Sequence, residues 1–463
     1  MVEQLNLEGR KTLILGAGKS GVAAARFLSK RGAKVALHDK KPIEDWTDAA
    51  RSLKTEKVGL IDGDLPSWLL DQIDLVVISP GVPTNSIPAR YVERKDGEVI
   101  GEVELAYRFL KGRIVGITGS NGKTTTTTLI GEILRNAGIE TQIGGNIGTP
   151  LVDLAETATD ETWTVAELSS FQLETIRDFR PRVGICLNVT PNHLDRYDFF
   201  SDYAAAKHRL FMNQTAEDSA VLNADDETTA SWASGLKANV VLFSVKKELE
   251  EGLFLRGRDL VCRAGGKEKI LTTREEIFLR GLHNVENVLA SLAAGLACGA
   301  APDSMRETVK NFRGVEHRIE FVAEIKGVNF YNDSKATSVD ATLKALEALS
   351  EDDGGKTVLI LGGRGKNAPY QPLISLIEKS VRALVLIGED AGNIESQLKN
   401  HSEIIRAEDM KDAVVKSFGI AESGDAVLLA PACASFDMFD SFEERGREFK
   451  SRVQSLKSKV RGV

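Results

Sequence analysis

The sequence predicts an α/β protein of three domains. Short apolar strands alternate with helical segments along most of the chain, which is the pattern of parallel sheets covered by helices. Two strand–helix connections are glycine-rich turns of the kind that bind phosphate. The chain has 463 residues, whereas a single core rarely grows beyond roughly 250–300 residues. We expect domains at 1–101, 102–314 and 315–463.

The composition excludes several classes of protein. Hydrophobic residues make up 42% and charged residues 27%, as in ordinary globular proteins, and the net charge of −8 argues against a nucleic-acid binder. The four cysteines lack metal or disulfide spacing, which favours a reducing cytoplasm. The longest uncharged apolar run, 288–301, is shorter than the roughly 18 residues of a membrane span. We expect a cytoplasmic monomer that binds neither nucleic acid nor membrane.

The first domain begins with a strand–helix–strand unit. An apolar strand at 12–15 leads into GAGKSG at 16–21, and the next strand, at 34–38, is followed by Asp39. This GxGxxG pattern indicates a Rossmann-like domain whose helix N-terminus accepts phosphate, but it does not specify the nucleotide. The glycines could instead serve only close helix–sheet packing. A further strand at 75–78 leads into a turn at 79–83 where a ligand could lie.

The central domain carries a phosphate loop. The strand at 114–117 leads into GSNGKT at 119–124, and a helix follows from Thr125. Backbone N–H groups and the helix N-terminus would face a triphosphate, Lys123 would reach its outer phosphates, and Thr124 could bind Mg²⁺. Ile117 stands where the strict pattern has its first glycine, so this is the shorter GxxGKT form. We expect a P-loop ATPase domain with a parallel sheet.

Several polar residues of this domain follow predicted strands. Glu167 ends the strand that begins at Trp163, at the sheet edge where a metal bound to phosphate would lie. Asn146 lies in a glycine-rich loop at 144–148. His193 follows another strand and is either a ligand or base, or a residue that stabilises its loop. A lysine in the helix predicted around Lys207 is usually a solvated surface residue, and helix propensity gives no reason to choose Lys207 over its neighbours.

Two asparagines open the alanine-rich helix after Gly281. Asn284 and Asn287 are three residues apart and share one helical face, so their amides could contact a base edge or cap the helix.

The last third repeats the alternation of strands and helices. Strands at 358–361, 383–387 and 426–429 predict a second Rossmann-like domain. The first of them leads into a glycine turn with Arg364 and Lys366, which either bind a small carboxylate or are solvated.

Five motifs in order along the chain resemble the Mur ligases. They are GSNGKTT at 119–125, SSFQLE at 169–174, GLHNVENVLAS at 281–291, FRGVEHR at 312–318 and NDSKAT at 332–337. Together with PACASFDMFDSFEERG at 431–446, the second motif resembles the D-glutamate-adding members. The resemblance implies an ATP-dependent ligase of peptidoglycan precursor synthesis that joins D-glutamate to UDP-N-acetylmuramoyl-L-alanine through an acyl phosphate.

The resemblance also assigns residues to each ligand. For ATP it implies Gly119, Ser120, Asn121, Gly122, Lys123, Thr124, Thr125, Asn287, Arg318 and Asp333. For two Mg²⁺ ions it implies Thr124, Glu167, His193 and Lys207, the last as a carbamate. For the UDP-linked substrate it implies Ser20, Asp39, Asn146, Ser169 and Gln172. For D-glutamate it implies Lys335, Thr337, Lys366, Ser435 and Phe442. Lys123, His193, Lys207 and Arg318 would act in catalysis.

The resemblance has one visible departure, and other functions stay open. Asn192 precedes His193 where the family usually has Asp. Within the family, the enzyme could add another amino acid or extend folate polyglutamate. Outside it, the N-terminal glycine motif could serve an NAD(P) oxidoreductase, or the phosphate loop a non-catalytic nucleotide switch.

Overall fold

The computed structural model describes residues 5–95, 97–191, 196–279, 281–350, 355–365 and 369–462. Three sheets, each mostly or wholly parallel and flanked by helices, follow one another along the chain. This is the predicted fold class. Within the described ranges, no helix has the length and apolar character needed to cross a membrane.

The first sheet has strand order β3-β2-β1-β4-β5, and its strands are parallel. The strands are β1 (Lys11–Leu15), β2 (Lys34–Asp39), β3 (Gly59–Asp62), β4 (Leu75–Ile78) and β5 (Glu98–Gly101). The helices are α1 (Lys19–Lys30), α2 (Asp48–Ser52), α3 (Ser67–Leu70), α4 (Ile87–Glu93) and α5 (Glu102–Tyr107). Because β1 pairs with both β2 and β4, the connections after these three strands share one sheet edge.

The central sheet has strand order β14-β13-β12-β11-β10-β9-β6-β8-β7. The strands are β6 (Arg113–Thr118), β7 (Thr141–Gly145), β8 (Trp163–Glu167), β9 (Val183–Cys186), β10 (Ser219–Asn223), β11 (Asn239–Ser244), β12 (Gly252–Arg256), β13 (Asp259–Ala264) and β14 (Lys267–Thr273). The helices are α6 (Lys123–Asn136), α7 (Leu151–Leu154), α8 (Ser170–Leu173), α9 (Phe200–His208), α10 (Glu227–Trp232), α11 (Leu282–Ala297) and α12 (Pro302–Asn311). The antiparallel strands β12 to β14 were not expected.

The third sheet has strand order β15-β16-β20-β17-β18-β19. The strands are β15 (Glu320–Ile325), β16 (Val328–Asn332), β17 (Thr357–Gly362), β18 (Val381–Ile387), β19 (Glu403–Arg406) and β20 (Ala426–Leu429). The helices are α13 (Val339–Ser350), α14 (Ile374–Ser380), α15 (Ala391–Leu398), α16 (Met410–Ile420) and α17 (Phe442–Arg461). Apart from β15, which runs antiparallel to β16, the strands are parallel.

The predicted strands and helices are present, with ends displaced by a few residues. One expectation was wrong in detail, because the glycine-rich segment at 144–148 is not all loop. Gly144 and Gly145 end β7, where Gly145 has φ 103° and lies so close to β8 that a Cβ would be 2.3 Å from the Glu167 carbonyl oxygen. Glycine is required there because the two backbones are in contact.

The chain forms two compact units. The first contains residues 1–276 and 285–310, and the second contains 277–284 and 311–463. The first and central sheets belong to the first unit, and the third sheet belongs to the second. The expected domain boundaries at 101 and 314 stay a prediction.

Two buried glutamates of α5 join the first sheet to the central region. Glu102 accepts a hydrogen bond from the N–H of Val152, at 2.9 Å. Glu104, whose side chain has no exposed surface, accepts hydrogen bonds from the N–H groups of 177–179 and pairs with Arg108. Buried carboxylates need such partners, so each fixes a contact between the two regions.

Candidate active site

The phosphate loop is formed by a sharp connection between β6 and α6. Gly119 has φ 151° and Gly122 has φ 81°, and both values favour glycine. Gly122 is the N-cap of α6, so Lys123 and Thr124 occupy the first helical turn. The ammonium of Lys123 donates to the carbonyls of Gly119 at 2.8 Å and Ser120 at 3.0 Å. The loop therefore presents its cation and its helix N-terminus together, as phosphate binding requires.

A carboxylate lies directly beside this turn. The Thr124 hydroxyl donates to Glu167 Oε2 at 2.8 Å, and the Asn146 amide donates to Glu167 Oε1 at 3.0 Å. These residues come together because β8, which Glu167 ends, is paired with β6. A hydroxyl and a carboxylate at a phosphate loop are the oxygen ligands that Mg²⁺ prefers.

Lys207 is buried against the same loop and is not solvated as a lysine in such a helix usually is. Its side chain is 1% exposed, and its ammonium donates to the Gly119 carbonyl at 2.9 Å. Helix α9 turns Tyr203, Ala204 and Ala206 inward together with Lys207. Burial and, secondarily, the charge of Lys123 lower the Lys207 pKa to about 7.

Tyr203 connects α9 to the loop by a second contact, and sequence reasoning gave it no role. Its hydroxyl lies 3.1 Å from the Ser120 Oγ, which also donates to the Thr190 carbonyl at 3.0 Å. The Lys207 ammonium lies 4.5 Å from the centre of the Tyr203 ring.

Asn287 reaches the phosphate loop from α11. It is buried, and its Oδ1 accepts a hydrogen bond from the Thr126 hydroxyl at 3.3 Å. A Cβ at Gly122 would lie 2.2 Å from this oxygen, so the two residues are in direct contact. Asn287 lies well inside α11, which begins at Leu282, and it therefore does not cap the helix.

Ser169 and Gln172 form a capping box at the start of α8. The Ser169 hydroxyl accepts from the Gln172 N–H at 3.3 Å, and Gln172 Oε1 accepts from the Ser169 N–H at 3.0 Å. This reciprocal pair fixes the polar turn that follows β8.

A cavity of about 580 Å³ lies beside the first glycine loop. Ser20 and Asp39 both line it, together with the turn at 79–83. Asp39 accepts hydrogen bonds from the N–H groups of Ala17 at 2.9 Å and Lys41 at 3.1 Å. Burial alone would raise the pKa of Asp39, but these hydrogen bonds outweigh it and hold the pKa below its usual value.

Arg318 and Asp333 lie near one another in the second unit. Asp333 is 8% exposed, and burial raises its pKa to about 7 although the charge of Arg318 acts in the opposite direction. Arg318 lies between two residues with positive φ, His317 at 65° and Ile319 at 44°. Such backbone costs about 1–3 kcal/mol at a residue other than glycine and is typical of functional turns.

Of the residues expected at the D-glutamate pocket, Lys335 and Thr337 lie in the loop after β16, Ser435 lies in the loop after β20, and Phe442 begins α17. The Lys335 ammonium is 4.5 Å from the centre of the Phe442 ring, and the Thr337 N–H donates to the Lys335 carbonyl. Arg445, which was given no role, is buried and joins two of these loops by donating to Ser334 and to the Cys433 carbonyl. Ser435, just after Cys433, is also buried.

Three residues discussed from the sequence, Asn192, His193 and Lys366, lie outside the described residues. Across the described ranges, no three His, Cys, Asp or Glu side chains form a group that could hold a metal. The expected ligand set combines Thr124, Glu167 and Lys207 with His193, so it is not a cluster of that kind.

Three family models match consecutive parts of the chain. The Mur ligase MurD-like N-terminal domain matches residues 10–101, the Mur ligase middle domain matches 117–295, and the Mur ligase glutamate ligase domain matches 317–433.

Full-length relatives and solved structures agree with these matches. A protein of Solibacter usitatus named UDP-N-acetylmuramoylalanine–D-glutamate ligase is 47% identical, over 98% of this chain and 100% of the relative. A protein of the same name from Pelotomaculum thermopropionicum is 46% identical, over 97% of this chain and 98% of the relative. The UDP-N-acetylmuramate-alanine ligase of Thermotoga maritima has the same fold, with a TM-score of 0.57 and 20% identity over 97% of this chain and 100% of that one. The chain belongs to the Mur ligase family.

Proposed function

We propose that this protein is the ATP-dependent, ADP-forming ligase that adds D-glutamate to UDP-N-acetylmuramoyl-L-alanine in peptidoglycan precursor synthesis. The observation that carries the proposal is the near-complete match, at 44–47% identity, to proteins named for that substrate and that amino acid. The grouping of a phosphate loop with Glu167 and Lys207 supports it independently.

The chemistry explains why such an enzyme needs ATP. A carboxylate does not condense with an amine at neutral pH, because its leaving group is too poor. Transfer of the γ-phosphoryl group to the alanyl carboxylate gives an acyl phosphate and ADP. The amine of D-glutamate then attacks the acyl carbon, phosphate leaves and an amide forms. The protein must bind the triphosphate, stabilise its charge and orient the amine.

The phosphate loop would perform the first of these tasks. In this proposal the Lys123 ammonium exchanges the carbonyls of Gly119 and Ser120 for phosphate oxygens. Asn287 would contact adenine, Asp333 the ribose and Arg318 a phosphate. Each of these roles is carried over from the family motifs.

Two Mg²⁺ ions are part of the proposal, since oxygen ligands are already grouped at the loop. Thr124 and Glu167 would hold the first ion, with His193 and a carbamate on Lys207 serving the second. Bound Mg²⁺ would neutralise charge on the transferring phosphoryl group. A buried amine whose pKa is lowered to about 7 is about half uncharged at neutral pH, which supplies the neutral amine that reaction with CO₂ requires.

The remaining roles concern the two other substrates. Ser20 and Asp39 would bind the UDP end in the cavity, and Asn146, Ser169 and Gln172 the muramoyl-alanine end. Lys335, Thr337, Ser435 and Phe442, with Lys366, would bind D-glutamate. A cytoplasmic, monomeric enzyme stays part of this proposal.

A panel of D- and L-amino acids tests the function. With ATP, Mg²⁺ and UDP-N-acetylmuramoyl-L-alanine present, we expect phosphate release and formation of a new amide with D-glutamate only. Mass spectrometry identifies the amide product. Turnover with a different amino acid, or with a folate acceptor, would replace the proposal by that activity. ATP binding without formation of any product would identify a nucleotide switch. Saturable NADH binding without a response to UDP-sugars would identify an oxidoreductase.

A separate measurement tests the Lys207 carbamate. We expect activity to fall when bicarbonate and CO₂ are removed and to return when bicarbonate is added, whereas Lys207→Ala should lose about a hundredfold or more and regain nothing with bicarbonate. Equal activity of the wild-type protein with and without bicarbonate, together with an unmodified Lys207 by intact mass, would contradict this role.

A further inference from the structure

Arg196 contacts two segments of the first unit that are far apart in sequence. One is the turn at 79–83, here named the cavity turn because it lines the 580 Å³ cavity. The other is the segment 169–174, which contains α8. We propose that Arg196 is a positioning residue for the UDP-linked substrate, holding the cavity turn at a fixed distance from segment 169–174. The identity of the substrate rests on the proposed function.

The contact with the cavity turn is made through two backbone carbonyls. Arg196 Nη1 donates to the Pro80 carbonyl at 2.9 Å, and Nη2 donates to the Val82 carbonyl at 3.4 Å. Both residues line the cavity. The start of the turn is already attached to β1, since Ser79 donates through its N–H to Leu15 and through its Oγ to Gly16. Arg196 therefore acts on the part of the turn that extends beyond the sheet.

The contact with segment 169–174 uses the same guanidinium. Nη2 pairs with Glu174 Oε2 at 3.2 Å, and the guanidinium carbon lies 4.0 Å from the centre of the Phe171 ring. Glu174 is oriented by the Tyr197 hydroxyl, which donates to its other oxygen at 2.5 Å. Because the Arg196 and Glu174 side chains are only 19% and 18% exposed, their pairing is less weakened by solvent than a surface ion pair.

This arrangement matters for an elongated substrate. The UDP end would lie against the cavity turn, and the muramoyl end against Ser169 and Gln172, which belong to the segment that Arg196 also contacts. Fixing the spacing of the two segments prepares both ends of the site before the substrate arrives, which reduces the ordering cost of binding. Only a planar guanidinium can donate to two carbonyls and a carboxylate while stacking on an aromatic ring.

The first experiment compares Arg196→Lys and Arg196→Gln with the wild-type protein in steady-state kinetics. We expect KM for UDP-N-acetylmuramoyl-L-alanine to rise about tenfold, the usual result of losing hydrogen bonds to a charged group, with kcat changed less than about twofold. KM for ATP and for D-glutamate should stay the same. Thermal unfolding checks that both variants are folded.

Arg209→Lys is the matched control. Arg209 donates to the Leu173 and Ile176 carbonyls, so it supports the same part of the chain, but it is not bonded to the carbonyls of the cavity turn. Its kinetics should equal those of the wild-type protein. An equal rise in KM for Arg209→Lys would show that loosening 173–176 alone is sufficient and would overturn the role of Arg196.

Binding of UDP alone, measured by calorimetry without ATP or D-glutamate, separates this inference from the proposed function. We expect UDP to bind Arg196→Gln about tenfold more weakly than the wild-type protein. Unchanged UDP affinity in folded Arg196→Gln would overturn the inference, as would a wild-type protein that does not bind UDP. If UDP binding weakens as expected while the amino-acid panel shows a different amino acid, the proposed function fails and the role of Arg196 stands.

Discussion

The two glycine loops of the first unit start from the same local plan. Each follows a buried parallel strand, and in each a glycine caps a helix that begins with a lysine and a hydroxyl residue: Gly18 with Lys19-Ser20 of α1, and Gly122 with Lys123-Thr124 of α6. Each also has an acid at the end of a neighbouring strand, Asp39 on β2 and Glu167 on β8.

The loops differ in what these groups contact. Asp39 accepts a hydrogen bond from the loop N–H of Ala17, whereas Glu167 accepts one from the Thr124 hydroxyl. Lys19 extends to the Gly148 carbonyl, whereas Lys123 folds back over its own loop. An acid held by backbone N–H groups is suited to a sugar or base, and an acid beside a hydroxyl is suited to a metal–phosphate site. The residues that surround a glycine motif, and not the motif's own sequence, therefore determine which ligand it suits.

The largest expected difference between the loops is in their lysines. Lys123→Ala should lower turnover about a thousandfold, because the transferring phosphoryl group loses a preorganised cation. Lys19→Ala should leave KM for ATP unchanged and alter only KM for the UDP-linked substrate. Steady-state phosphate release measures turnover and the KM values of both variants. UDP binding by calorimetry shows whether each variant still binds UDP. Similar losses of ATP turnover in both variants would remove the distinction.

The next largest difference is expected between substitutions of the two acids, Glu167 and Asp39. Glu167→Gln should lower activity about a hundredfold at limiting Mg²⁺, because the carboxylate expected to bind the metal is replaced by an amide. Part of the activity should return at higher Mg²⁺. Asp39→Asn should raise KM for the UDP-linked substrate about tenfold at every Mg²⁺ concentration. A Mg²⁺ titration of both variants is the measurement, and a Mg²⁺-dependent defect in Asp39→Asn would contradict the comparison.

The glycines that precede the lysines give a smaller, structural difference. Gly122→Ala combines φ 81° with a Cβ that would lie 2.2 Å from Asn287 Oδ1, so we expect a loss of about 1–3 kcal/mol in unfolding free energy. Gly18 has φ −76°, and an added Cβ would meet no described heavy atom within 4 Å. Gly18→Ala should therefore unfold like the wild-type protein in denaturant titrations. Equal destabilisation of the two variants would be inconsistent with these backbone conformations.

The last prediction concerns Glu102, in the helix that connects the two regions, and involves neither glycine loop. Burial raises its pKa from 4.5 to about 7, so between these pH values the folded state holds more protons than the unfolded state. Stability from this group is present below pH 4.5 and is lost as pH rises, by about 1.4 kcal/mol per pH unit. Glu102→Gln should remove this part of the slope in urea unfolding series from pH 5 to 7. A slope as steep as that of the wild-type protein would contradict it.

The sequence was sufficient to predict those features that depend on neighbouring residues in the chain. The phosphate loop and the position of Glu167 follow from a strand, a glycine turn and the rule that ligands lie beyond strand ends. The burial of Lys207 did not follow, because propensity describes α9 alone and not its packing against the carbonyl of Gly119. Arg196 gave no signal, since its partners are 22 or more residues away.

The antiparallel strands β12 to β14 were missed although a signal was present. Gly265 and Gly266 connect β13 to β14 with φ 57° and 71°, and paired glycines between strand-forming segments are typical of a tight hairpin.

Glu104 has a consequence for dissecting the protein into fragments. Its carboxylate is buried among N–H groups that belong to residues 177–179, so the helix that follows the first sheet is completed by the central region. A fragment that stops after this helix would expose an apolar surface including Leu105 and Ala106 to water and leave the acid solvated instead. The first sheet is therefore best produced and crystallised together with the central region.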